Sequence, residues 1–237
     1  MKLYDRHPGV PHDLPEIRPL RAMHSKTFDL GRGKRKLVQF VGPIHWRDGE
    51  RWEDIDLEPR HQDDGMLRVD QAPYKLIVDP TTTILRHESR LTGLRARAGI
   101  IAIGGKAVTL PAPVVEDGRI RWLQVVDGVD LELRLTPTGA QWLRHIHHAD
   151  APHSFTWTVQ RQEAFDGDRI VEQGAGEDAG REKAGVTLRR SEARAINGWV
   201  KWETEETFDR RVSRILDRKT RRRGWSDEVQ YPVVLHG

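Results

Sequence analysis

The segment that follows the Asp127-Gly128 step constrains this chain more than any other. Val129, Leu131, Leu133 and Leu135 alternate there with Asp130, Glu132, Arg134 and Thr136. A period of two puts the aliphatic set on one face and the polar set on the other, the pattern of a half-buried antiparallel strand and not of an amphipathic helix. Asp-Gly is a strong hairpin-turn dipeptide. A second one, Asp117-Gly118, leads into the apolar-rich run from Ile120 to Val126, which itself ends at Asp127. A stretch built this way folds as an antiparallel meander, and its leucine face has to be covered by another layer.

The same signals recur along the chain. Thr27 to Leu30 and Lys36 to Val41 flank a Gly31–Lys34 turn and read as a hairpin. Trp46 precedes an Asp48-Gly49 turn, and 51–57 alternates, with Trp52, Asp54 and Asp56 on one face and Glu53, Ile55 and Leu57 on the other. Further strands are expected at 74–78, 83–86, 99–103, 107–110, 141–147, 154–159, 186–189, 193–202 and 229–235, the last pushed towards a sheet edge by Pro232. Residues 204–217 form the one helix candidate, with Phe208, Val212 and Ile215 at helical spacing, and a strand pair is the alternative. Pro8, Pro11, Pro15 and Pro19 make residues 1–24 an extended arm, either a loose N-terminus or a strap on which Leu14, Ile17 and Leu20 are candidate anchors against a neighbouring subunit. The expectation is an all-β chain, an antiparallel β-sandwich-like scaffold of one large or two packed sandwiches. It divides into the arm at 1–24, a sandwich region at 25–172, a Gly/Ala-rich loop at 173–184, and a C-terminal β region at 185–237 carrying a basic helix or hairpin.

Composition removes several classes of function. The chain has no cysteine, which excludes disulfides, thiolate metal sites and cysteine nucleophiles. Its 39 basic and 36 acidic residues nearly cancel, so no global field drives it to nucleic acid or membrane. The first thirty residues hold no apolar run of signal-peptide length, and nothing later approaches the roughly 20 apolar residues of a membrane span. A soluble protein is expected. Eight tryptophans compensate for an apolar fraction of only 37%.

Chemical constellations are sparse. His145 and His147 share a strand face, with His148, Asp150 and His153 nearby, but two ligands on one strand make a weak metal site that needs a third from elsewhere. Gly31–Lys34 lacks the spacing of a phosphate loop. Asp54 with Asp56, and Asp127 with Asp130, read as turn formers and solvated strand faces, and no serine sits in a nucleophile elbow. No catalytic residue and no cofactor is expected. Arg218, Lys219, Arg221, Arg222 and Arg223 form a basic run, and Arg211 and Arg214 would join it along a helical face. Five phosphate contacts would give a salt slope of about −4.5 on duplex DNA. Without interleaved aromatics to stack bases, a solvated face or a patch that pairs with acidic residues on a neighbour is the better reading, and nucleic acid is disfavoured. Trp46, Trp52 and Trp142 read as core residues or, on an outer sheet face, as platforms for a glycan.

Five stretches taken together carry a resemblance. The order runs from Ser25-Lys26-Thr27-Phe28-Asp29 through Gly42-Pro43-Ile44-His45-Trp46 to Trp52-Glu53-Asp54-Ile55-Asp56. Gly128-Val129-Asp130-Leu131 to Gly139 follows, and Tyr231-Pro232-Val233 closes the series. This order resembles an N-terminal module of large secreted wall-associated and Rhs-type repeat proteins of bacteria, and related modules of bacteriophage structural proteins. The resemblance implies a β-sandwich-like scaffold with an architectural role. With no secretion signal in the sequence, it points to a virion protein: a capsid decoration, a head–tail accessory or a tail-associated component that adheres to copies of itself and to other virion proteins. The alternative is a carbohydrate- or cell-surface-binding module of a secreted or wall-associated system.

Overall fold

The computed structural model describes residues 10–161 apart from 91, 92 and 94, and beyond 161 the backbone of the strands named below. The hairpin expected around Gly31 is β1 (Ser25–Gly31) with β2 (Lys34–Gln39), and the one around Gly49 is β3 (His45–Asp48) with β4 (Arg51–Asp54). There follow β5 (Arg60–His61), β6 (Leu67–Val69), β7 (Tyr74–Val78), β8 (Leu85–Ser89), β9 (Arg95–Ile103) and β10 (Lys106–Ala107). The meander is β11 (Val114–Glu116), β12 (Arg119–Val126), β13 (Val129–Thr136) and β14 (Gly139–Ile146), and β15 (Ser154–Arg161) ends the continuous stretch. Beyond it lie β16 (Val171–Glu172), β17 (Arg181–Lys183), β18 (Val186–Leu188), β19 (Glu192–Ala195), β20 (Gly198–Val200), β21 (Trp202–Asp209), β22 (Val212–Lys219) and β23 (Val233–His236).

Two large antiparallel sheets form the body. One runs β21-β22-β15-β9-β8-β7-β6-β5, with β10 beside β9, and the other runs β11-β12-β13-β14-β23-β19-β20. The leucine ladder of β13 does what its alternation requires. Val129, Leu131, Leu133 and Leu135 are buried, and with Ile120, Trp122, Trp142 and Ile146 they meet Leu67, Tyr74, Leu76, Val78, Ile100, Ile103, Phe155 and Trp157 of the facing sheet in one core. This is a sandwich, as the sequence pattern requires. Strands from the C-terminal region complete both layers, β22 beside β15 and β23 beside β14.

Polar links tie the layers together. The Tyr74 hydroxyl on β7 shares its proton between the carbonyls of Thr136 and Gly139, 2.7 and 2.9 Å away on the β13–β14 turn. Burial pushes the Tyr74 phenol well above its ordinary pKa of 10.0, so it remains a donor at every relevant pH. Replacing Tyr74 with Phe should cost about 1–3 kcal/mol, because two half-buried carbonyls lose the phenol's hydrogen bond while the ring stays in place; urea unfolding of the two proteins measures it. Arg144 on β14 is fully buried, its guanidinium 5.2 Å from the Phe155 ring and 5.0 Å from that of Trp157. Gly99 on β9 lies so close to the chain before β8 that a Cβ would stand 2.6 Å from the Thr83 carbonyl oxygen, which explains a glycine inside a strand.

Three local expectations are corrected. The helix candidate at 204–217 is the hairpin of β21 and β22, in register from Trp202↔Lys219 to Asp209↔Val212. Pairing of β22 with β15 on its other side supplies a full second ladder, and such tertiary pairing overrides weak helical spacing. The C-terminal strand is not at an edge: β23 lies between β14 and β19. Its first paired residue is Val233, opposite Ile146 of β14. The loop at 173–184 gives way at its end to β17, which pairs with β16 and β18. Among the described residues no helix is long and apolar enough to cross a membrane.

Candidate functional site

The most concentrated chemistry lies where the arm meets the first two hairpins. The arm runs antiparallel along β1: Ile17 N donates to Thr27 O at 2.8 Å and Asp29 N to Pro15 O at 3.0 Å. A single turn of 3-10 helix at Arg18–Leu20, started by Pro19, then folds the chain back. That path brings Glu16 and Arg21 over Lys26 of β1, His45 of β3 and Asp54 of β4. Arg21 donates to both oxygens of Glu16 at 2.8 Å and to the Trp52 carbonyl at 3.2 Å. Lys26 Nζ bridges Glu16 at 3.3 Å and Asp54 at 3.2 Å. His45 Nδ1 is 2.7 Å from the Ala22 carbonyl, and Nε2 is 3.3 Å from Asp54 Oδ1.

These charges are out of water. The Arg21 and Lys26 side chains are 4% exposed, His45 is fully enclosed, and Asp54 and Glu16 are 14% and 16% exposed. Burial acts to raise the Glu16 pKa, and the hydrogen bonds and charges of Arg21 and Lys26 outweigh it, so the carboxyl sits below its ordinary 4.5. An enclosed imidazole cannot reach a substrate proton. What the cluster can do is hold the arm, since buried charges whose partners come from different segments specify one arrangement of those segments.

A second polar face lies on the outside of the β13–β14 pair. Glu132, with its side chain only 5% exposed, meets Arg134 at 3.0 Å and His145 Nε2 at 3.2 Å. His147 Nε2 lies 2.8 Å from Asp130, whose other oxygen accepts from Gln124 N at 2.6 Å. The two candidate metal ligands, His145 and His147, thus each face a separate carboxylate. Among the described residues no group of three or more His, Asp or Glu could hold a metal ion.

The other residues singled out from the sequence scatter. Leu14 packs beside a satellite core of Val10, Phe28 and Val38, with Phe40, so on the described residues it anchors the arm to its own hairpin. Ile17 is half-buried in the arm–β1 pairing and Leu20 is exposed. Arg214, Arg218 and Lys219 fall on β22, an inner strand with neighbours on both sides. Arg211, Arg221, Arg222 and Arg223 lie outside the described residues. Trp46 and Trp142 are buried and Trp52 is half-buried with Arg47 near its ring, so two of the three candidate glycan platforms belong to the interior.

Reading the carboxylates as solvated faces was wrong for Asp54 and right for Asp127, whose side chain is 96% exposed. Alternation identifies the face a residue takes but not what covers that face. Lys26, His45 and Asp54 lie in three separate stretches of sequence, and only the fold brings them together. Compared with family models, curated proteins and solved structures, the chain has no match.

Proposed function

We propose that this chain is a structural component of a bacteriophage particle, acting by adhesion between subunits. One observation carries the reading. Residues from three of the resemblance stretches, Lys26, His45 and Asp54, converge in an enclosed ionic latch, while Trp46 and Ile55 of the same stretches enter the core. Motif residues spent on locking the architecture suit a scaffold whose output is shape. The sandwich supplies rigid faces, and the latched arm adds a fixed ridge along β1. The carbohydrate-binding alternative loses Trp46 and Trp142 as stacking platforms.

Mass spectrometry of purified particles from the source genome tests the proposal, with this protein quantified against the major capsid protein. Copies in the hundreds would mean a decoration lattice, and a handful would mean a portal or tail position. Complete absence from particles would overturn it.

A further inference from the structure

The β1–β2 hairpin carries an unpaired edge whose chemistry is unusually selective. In an extended strand the N–H and C=O of one residue point to the same side, and successive residues alternate. Because Thr27 and Asp29 bond to the arm, Lys26 and Phe28 turn their backbone groups to β2. Their partners there are Val38 and Lys36, so Arg35, Leu37 and Gln39 aim theirs away from the hairpin. Among the described residues no strand lies on that side, and no backbone hydrogen bond leaves those three residues.

Side chains around this edge fall into two sets. Arg32 on the turn and Lys34, Arg35 and Lys36 on β2 are all exposed, so cations flank the edge on both faces of the strand. Leu30, Leu37 and Val41 are exposed by 47%, 57% and 107%, the three largest exposures among the described large apolar residues. Lysines on an edge normally deter another strand from pairing. A purely protective edge has no use for an open leucine such as Leu37, whereas an edge that admits only a negatively charged strand uses both it and the cations.

We propose that β2 is a docking edge for an extended acidic segment of a partner protein, which adds to the hairpin as a third strand. Main-chain bonds to Arg35, Leu37 and Gln39 supply affinity, the cations select for Glu and Asp, and Leu37 takes an apolar residue of the partner. A nucleic acid would use the cations and leave the outward row of backbone donors and Leu37 idle. The inference deepens the adhesive reading by naming the partner's chemistry. Particle mass spectrometry tests that reading and the titration below tests this one, so each can fail alone.

The test titrates the full chain against a fluorescein-labelled peptide, Glu-Val-Glu-Thr-Glu-Val-Glu-Thr-Glu, by anisotropy. Its Lys-for-Glu counterpart and a duplex DNA of about 20 base pairs serve as competing probes. Binding of the acidic peptide alone is expected. It should weaken at least tenfold in Lys34→Glu/Lys36→Glu, through lost charge, and in Leu37→Pro, which removes an outward N–H without touching the hairpin's own bonds. Circular dichroism confirms folding, and the double variant, confined to exposed side chains, keeps the test sound if Leu37→Pro unfolds. Failure of the acidic peptide to bind, binding indifferent to the folded variants, or preferential binding of DNA or of the basic peptide would each overturn the proposal. So would self-association of the chain through β2 that excludes the peptide.

Discussion

Truncating Trp122 to alanine should destabilise the protein by about 3–5 kcal/mol, the range for large aromatics removed from a core. Trp122 is fully buried at the contact between the two sheets and stacks on Trp142 with ring centroids 5.5 Å apart. Trp142 in turn meets Trp157 edge-on at 6.1 Å, so the three rings run from β12 through β14 to β15 of the facing sheet. The Trp122 indole N–H also donates to the Pro80 carbonyl at 3.0 Å. Alanine would remove the ring contacts, leave a void that rigid strands cannot close, and strand the Pro80 oxygen. Urea denaturation measures the cost. Trp122→Phe should recover most of it, because the stacking returns and only the hydrogen bond is missing. The pair Trp122→Ala/Trp142→Ala should fall short of additivity, since each single change already breaks their shared contact.

Asp54→Ala should cost a comparable amount, about 3–5 kcal/mol, for an electrostatic reason. It removes one of the two carboxylates that bridge Lys26 and Arg21 and the one nearest His45 Nε2. The desolvation of those groups has already been suffered in folding, and the compensating attraction goes. Limited trypsin digestion should then cut the arm after Arg21 well before the sandwich, because the arm is held chiefly through this cluster and the Val10–Phe28–Val38 satellite core. Adding Lys26→Met to Asp54→Ala should restore part of the stability, since a buried cation without its partner is worse than an apolar side chain of similar length.

Acid should loosen the same latch. The folded-state pKa of Glu16 is depressed, so its contribution is fully present above the ordinary 4.5 and is lost as the pH falls through the lower folded value. The urea midpoint should decline below pH 4.5, and Glu16→Gln should flatten that part of the decline while lowering stability at pH 7. An equal slope in both proteins would show that other carboxylates set the acid limit.

Much of the architecture was legible because strands announce themselves locally. The β13 ladder, the turns at Gly118 and Gly128, and the hairpin around Gly31 follow from a two-residue period and from dipeptides whose backbone preferences are intrinsic. Gly128 shows how local choice and tertiary need coincide. It has φ +71° in its turn, and a Cβ there would press within 2.3 Å of His148 Nε2. The hairpin of β21 and β22 was less legible, because the spacing of Phe208, Val212 and Ile215 suits a helix when the partner strand β15, some fifty residues earlier, is left out of account.

The latch was not legible at all, although its members were. Glu16, Arg21, Lys26, His45 and Asp54 look in sequence like ordinary surface residues of an arm and two hairpins, and charge carries no periodic signature. Composition, alternation and turn chemistry by themselves determined an all-β sandwich, its leucine face and most of its strand positions, since those depend on interactions between near neighbours in the chain. Only the tertiary structure decided which strands lie at edges, which tryptophans are core, and that Asp54 and Glu132 face charges instead of water. Burial and pairing at those positions are set by segments distant in sequence, and the same side chain is solvated or enclosed according to what the fold lays over it.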